Sequence, residues 1–193
     1  MTYPATFTIV APEKVANWRP LVQWFMAIPH MIALYIVQIV ASVLMFVGWI
    51  AIVVTGKLPG GIANYLCMAN RYNVRVTAYM GFLHGEYPPF DFTMSAADPG
   101  GQPVRVDYEP ALEGRNRLTV LLRFFWAIPA MIFAMVILFV AQIMWFVAFF
   151  AVLFTGKWPA GMHKFVVGAM GVNVRLGAYA GLLTDEYPPF ETN

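Results

Sequence analysis

Between Pro20 and Gly56 the chain has no Asp, Glu, Lys or Arg, and between Phe124 and Gly156 it again has none. Charged residues make up 11% of the 193, against roughly 25% in an ordinary soluble domain. A bilayer core takes about 20 apolar residues as helix, so either stretch is long enough to cross it. A buried soluble helix of that length lies far outside the usual distribution. The single cysteine, Cys67, excludes an internal disulfide. Its repeat mate is Val167, so a repeated metal or redox site is excluded as well, and Cys67 reads as a small buried hydrophobe. A net charge of +2 is too small to point to nucleic acid. Residues 1–18 hold Pro4, Pro12, Glu13 and Lys14 and lack the pattern of a cleavable signal peptide, so the first hydrophobic run is expected to remain as an uncleaved anchor.

What is present is repetition at an offset of one hundred. Ala27-Ile28-Pro29 returns as Ala127-Ile128-Pro129, Thr55-Gly56-Lys57 as Thr155-Gly156-Lys157, and Asn73-Val74-Arg75 as Asn173-Val174-Arg175. Without gaps, residues 21–90 and 121–190 share 30 identities in 70 positions. The chain therefore holds two copies of one unit: residues 1–92, a linker over 93–102, and residues 103–193.

Each unit starts with a period-two segment, Thr6–Val10 and Val104–Tyr108, the pattern of a half-buried strand. A lone strand is unstable in water, so the two are expected to pair with each other or with other copies. A straight helix over residues 20–55 would reach about 54 Å against ~30 Å of hydrocarbon, so a bend is expected at Pro29 and Pro129. Interfacial lead-ins then occupy Trp18–Ile28 and Leu118–Ile128, with Trp18, Trp24 and Trp126 at headgroup depth. Spanning helices follow, from about Pro29 to Val54 and Pro129 to Phe154. Thr-Gly-Lys-x-Pro ends each of them, glycine suiting the helix C-terminus and proline forbidding continuation. Within these spans Gln38, Ser42 and Gln142 are expected to stitch helices together.

The next segments, Ile62–Leu83 and Met162–Leu183, are long enough to span but carry Arg71 and Arg75 in one copy, Lys164 and Arg175 in the other. A surface-lying helix is the alternative; a narrow cationic stripe favours a span packed in a bundle. All ten acids lie at 13, 86–113 or 185–191, none near Lys57 or Lys157. The expected topology is thus four spans, with both termini and the linker on the cytoplasmic side and Lys57, Lys157 and Lys164 across the membrane.

Two repeated patterns carry candidate chemistry. Arg75 and Tyr79 share a helix face ahead of Glu86-Tyr87-Pro88-Pro89-Phe90, and Arg175 and Tyr179 repeat this ahead of Glu186-Tyr187-Pro188-Pro189-Phe190. One reading is a lipid-headgroup or partner site built by the arginines and tyrosines, with Arg71 and Lys164 nearby. The other is an internal clamp from Arg75 to Glu86 and from Arg175 to Glu186. Tyr87, Phe90, Tyr187 and Phe190 suit the interfacial belt. His30, His84 and His163 have no matching histidine in the other copy and no metal-ligand spacing. Glu86 and Glu186 have no histidine or nucleophile near them, so no catalytic residue, cofactor or metal is expected.

The Ala-Ile-Pro start, the Thr-Gly-Lys-x-Pro turn, the Arg-x-x-Ala-Tyr helix and the Leu-x-x-Glu-Tyr-Pro-Pro-Phe ending resemble the bacterial membrane family catalogued as domain of unknown function 4389. The resemblance covers nearly the whole chain as a tandem pair. The family's Leu-Thr-Asp-Glu-Tyr-Pro-Pro-Phe is complete at 183–190, whereas Gly85 stands in place of the aspartate in the first copy. The resemblance implies no activity.

The expected fold is a mainly α membrane protein made by tandem duplication, each repeat a short β-strand, a Pro-kinked transmembrane helix and a second membrane helix ending in Glu-Tyr-Pro-Pro-Phe. The expected function is a non-enzymatic accessory or scaffold protein of the bacterial cytoplasmic membrane, in contact with lipids, either homo-oligomeric or a small subunit of a larger membrane complex. The alternative is a small oligomeric channel or lipid transporter, since intramembrane cations and tandem repeats recur in carriers.

Overall fold

The computed structural model describes residues 3–10, 12 and 14–192; Glu13, one of the ten acids, lies outside the described residues. The order of elements is β1 (Ala5–Ile9), α1 (Arg19–Met26), α2 (Ile28–Thr55), α3 (Gly60–Met80), β2 (Val104–Tyr108), α4 (Arg117–Leu121), α5 (Arg123–Thr155) and α6 (Ala160–Ala180). The two units repeat the same series of strand, short helix, long helix and buried helix.

The strands pair with each other inside the chain. β1 and β2 are antiparallel, with Ala5 opposite Tyr108, Phe7 opposite Val106 and Ile9 opposite Val104. These three pairs form the inner face of the ribbon, and Thr6 opposite Asp107 and Thr8 opposite Arg105 form the outer one. The inner face supplies Val104, Val106 and Tyr108 to the main core, while Thr6, Thr8 and Arg105 are exposed. This segregation holds the register, because a slip of one residue would turn every apolar side chain outward.

Among the described residues, α2 and α5 are the two helices long and apolar enough to cross a membrane. Each presents a narrow stripe to its neighbour: Val37, Ala41, Gly48 and Ile52 in α2, and Ala130, Ala134, Ala141, Ala148 and Val152 in α5. Small residues there let the backbones approach closely, and the added Cβ of a Gly48 substitution would sit 3.0 Å from Leu58. Both helices end at a left-handed glycine, Gly56 at φ 73° and Gly156 at φ 67°. The amides of these glycines close on Ile52 O and Val152 O, the termination expected from the Thr-Gly-Lys pattern.

The position of the bend differs from expectation. In the first unit α1 and α2 meet at Ala27, and Pro29 falls in the first turn of α2, where its missing donor costs nothing. In the second unit the break comes at Leu122, and α5 runs through Pro129. The cap set by Asn116, which accepts from Leu118 N and Thr119 N, starts the short α4 early and leaves Pro129 inside the long helix.

α3 and α6 are the middle of the molecule. α3 turns Tyr65 and Tyr72 toward α2, where Tyr65 donates to Val37 O (3.2 Å) and the Tyr72 hydroxyl meets His30 Nδ1 (2.6 Å). It turns Arg71 and Arg75 toward the ribbon. α6 likewise packs against both α5 and β1. The layers are therefore ribbon, buried helix pair, and long apolar helices.

The two units lie head to tail. Leu58 N donates to Leu112 O (2.8 Å), and Lys57 Nζ is 2.9 Å from Glu113 Oε1, so the turn after α2 abuts the start of the second unit. Val15 N donates to Gly156 O (2.8 Å) and Asn17 Nδ2 to Leu153 O (3.1 Å), so the turn after α5 abuts the start of the first. The expected placement of Lys57 across a bilayer from the acidic residues is thereby overturned: Lys57 is in contact with Glu113, not ~30 Å away. Gln38, Ser42 and Gln142 are exposed rather than stitching helices, and the Ser42 hydroxyl donates to Ile39 O of its own helix.

Candidate functional site

Arg71 and Arg75, one turn apart on α3, hold the linker to the fold. Arg75 Nη2 reaches Asp98 Oδ1 at 2.8 Å, Nη1 reaches Asp91 Oδ2 at 2.8 Å, and Nε donates to Val104 O at 3.3 Å. Arg71 donates to Ala97 O (3.2 Å) and to Ser95 O, with Nε 3.8 Å from Asp98 Oδ2. The Asp98 side chain is fully buried and also accepts from Gly100 N (2.7 Å) and Val106 N (2.9 Å). A buried carboxylate with this many donors is satisfied, and its partners are costly to remove. At Asp91 burial works to raise the carboxyl, but donation from Thr93 and Arg75 outweighs it and holds the group below its usual range.

These contacts correct the expected role of Arg75. Its carboxylate partners are Asp91 and Asp98, not Glu86, and a guanidinium so enclosed does not meet a lipid headgroup. Glu86 and Glu186 are both exposed. Tyr79 is buried, its hydroxyl 3.5 Å from Met26 Sδ and its ring against Tyr87 at 5.6 Å. Tyr179 is buried too, under the Arg123 guanidinium at 4.6 Å. Neither tyrosine is open to a partner.

The second copy differs. Gly171 stands where the first has Arg71, and Lys164 where it has Asn64. Tyr3 donates to Arg175 O (3.1 Å) and Glu186 O (3.2 Å), and Arg175 Nη2 donates to Glu191 O. Arg175, Lys164, Tyr3 and Glu191 line a groove of about 780 Å³ between β1 and α6. The chosen residues thus fall into two places, a closed ion lock in the first copy and an open groove in the second.

Each unit is closed at its open end by one side chain from its short or long helix. Gln23 Nε2 donates to His84 O (2.9 Å), and at the matching place Arg123 donates to Thr184 O (2.6 Å) and Tyr179 O (2.9 Å). In the second copy Asp185 completes the clamp, accepting from Arg115 at 2.6 Å and from Arg123. In the first copy glutamine and glycine replace arginine and aspartate together, and Arg19 donates to Gly85 O in the space where an aspartate side chain would lie. His84 is buried, and burial pushes its imidazole down to about 4.

The same closure built twice is the signature of a duplicated domain. The family described as "Domain of unknown function (DUF4389)" matches residues 17–91 and again residues 117–191. The chain belongs to this family. No curated protein and no solved structure matches it. Both DUF4389 segments begin after their strand, so the ribbon, Asp98 and Arg115 lie outside the matched residues. Asp91, the last residue of the first DUF4389 segment, lies inside the match with Arg71 and Arg75, so that of the ion lock's charged residues Asp98 alone falls outside it.

The anchor aromatics of the DUF4389 units, Trp18, Trp24, Tyr87, Phe90, Trp126, Tyr187 and Phe190, are all partly exposed. Tyr87 and Phe90 also pack on His30, with ring centroids 4.7 and 4.1 Å away. Trp24, Thr77, Gln142, Trp145, Phe146 and Phe149 are among the residues around an apolar cavity of about 450 Å³ between the units. Among the described residues no group of three His, Cys, Asp or Glu side chains is placed to hold a metal ion. Asp91, Asp98, Arg115 and Arg123 escaped the sequence reading. Arg123 had a signal, because the exchanges Gln23 for Arg123 and Gly85 for Asp185 occur together.

Proposed function

We propose that this protein is a non-enzymatic accessory or scaffold protein of the bacterial cytoplasmic membrane, held there by α2 and α5 and acting as a homo-oligomer or as a small subunit of a larger membrane complex. One observation carries the reading. The 18-residue cores of these helices are only 22% and 17% buried in the folded chain, although their mean hydropathy is 2.5 and 2.6. A soluble core helix of that composition would be mostly covered, since exposed apolar patches of this size mark a membrane or a partner.

The ion lock and the end clamps support a structural role, because their carboxylates are held by arginines of the same chain and those arginines also bind its main-chain carbonyls. In an experiment, membranes carrying the protein are washed with sodium carbonate and the detergent extract is analysed by native mass spectrometry. Retention in the pellet together with a defined multiple of 21.6 kDa, or a fixed foreign subunit, is the expected result. Release into the carbonate supernatant overturns the membrane reading.

A further inference from the structure

We propose that the chain lies flat in one leaflet, with α2 and α5 in the hydrocarbon and the β-ribbon in water, and that no part of it crosses the bilayer. This rests on the membrane reading above and concerns which surface meets the lipid.

Helices that stand across a membrane put their two ends on opposite sides. The head-to-tail packing of the units would then place Lys57, Glu113 and Arg115 on one side, and Val15, Asn17 and Lys157 on the other. The linker would have to cross between them as extended chain. α3 is about 31 Å long, and Arg71 and Arg75 fall about 16 and 22 Å from its start. The ribbon docked on them would therefore lie near mid-membrane, with Thr6, Thr8 and Arg105 exposed on its outer face. An exposed polar and charged face is costly in hydrocarbon.

Laid flat, the same molecule meets no such conflict. In α2, every exposed residue except Gln38, Ser42 and Thr55 is apolar or aromatic. In α5, only Gln142 and Thr155 depart from this. Both helices pack on the buried pair, which carries the ribbon, with its polar residues, on another face. The charge pattern fits a headgroup level: Lys57, paired with Glu113, and Lys157 follow the ends of the two apolar helices, both exposed, and Lys157 is placed to reach headgroup phosphates from a chain lying in the interface. Trp18, Trp24 and Trp126, exposed at the starts of the same layer, mark the same level.

Single cysteines at exposed positions on a Cys67→Ala background test this: Thr8→Cys on the ribbon, Lys57→Cys and Lys157→Cys after the long helices. Sealed vesicles of both orientations are treated with a membrane-impermeant maleimide. All three positions are expected to label from the same side and to stay protected, at least tenfold, from the other. Labelling of Lys57→Cys and Lys157→Cys from opposite sides overturns the inference while leaving the membrane reading intact, and means standing units whose ribbons face a shared lumen. The unmodified protein provides an independent check with an impermeant amine reagent, read at Lys57 and Lys157 by peptide mass spectrometry. Recovery of the protein outside the vesicles sinks both readings at once.

Discussion

The Trp145 indole donates its N–H to the Gly81 carbonyl at 3.1 Å, tying α5 of the second unit to the end of α3 of the first. Gly81 has φ −79°, so its lack of a side chain is not required by the backbone; an added Cβ would overlap the indole. Gly81→Ala is expected to cost about 1–3 kcal/mol through overpacking. Thermal unfolding in detergent measures it, and Gly61→Ala, where an added Cβ meets nothing within 4 Å, is expected to be neutral or slightly stabilising.

Asp98 neutralises two buried guanidinium groups, so Asp98→Asn leaves them short of charge. A loss of roughly 3–5 kcal/mol is expected, the usual cost of breaking a buried ion pair from one side. Hydrogen exchange should show protection falling first in β2 and residues 91–98. Arg75→Met should loosen the same segment, whereas Glu86→Gln should leave it unchanged.

Replacing the second copy's clamp with the first copy's residues gives a sharper test. Arg123→Gln and Asp185→Gly each remove one partner of a contact. Together they remove both, so the double variant should be more stable than the sum of the singles predicts, by roughly 0.5–3 kcal/mol. A double-mutant cycle from chemical unfolding reads this directly, and strict additivity would count against a coupled clamp.

Burial lowers the His84 imidazole to about 4 from 6.5. The folded state therefore holds it neutral while the unfolded chain takes up a proton at 6.5. Its contribution is complete above pH 6.5 and is lost as pH falls toward 4, by roughly 1–3 kcal/mol. His84→Thr, which installs the residue of the second copy, should flatten the stability profile over that interval. At Asp185 burial acts to raise the carboxyl, but bonds from Arg115 and Arg123 prevail and hold it low, so a further loss is expected below the ordinary carboxylate range in both proteins.

Local features were readable because local rules set them. The alternation in Val104–Tyr108 is a strand, and the glycine of Thr-Gly-Lys is a left-handed cap in both copies. Pro129 misled because Asn116 caps a helix upstream of it, and a cap decides where a helix begins as firmly as a proline decides where one bends. Asp98 was invisible as the partner of Arg75 because 23 residues separate them and only the path of the linker brings them together. The head-to-tail arrangement had no signature at all. Charge counting placed Lys57 opposite the acids, yet the pair Lys57–Glu113 is exposed and contributes little, so selection on that contact leaves a faint trace. Main-chain bonds such as Leu58 to Leu112 do the joining, and those are silent in side-chain identity.

Because the turn after each long helix is capped by backbone from the opposite half, neither half is a finished object. Severing the chain within 99–101 would give two fragments that each present an unmet turn and an uncovered helix end. They should remain associated after cleavage, and a polypeptide bearing a single copy would have to find a twin, arranged in reverse, to complete the same two seams.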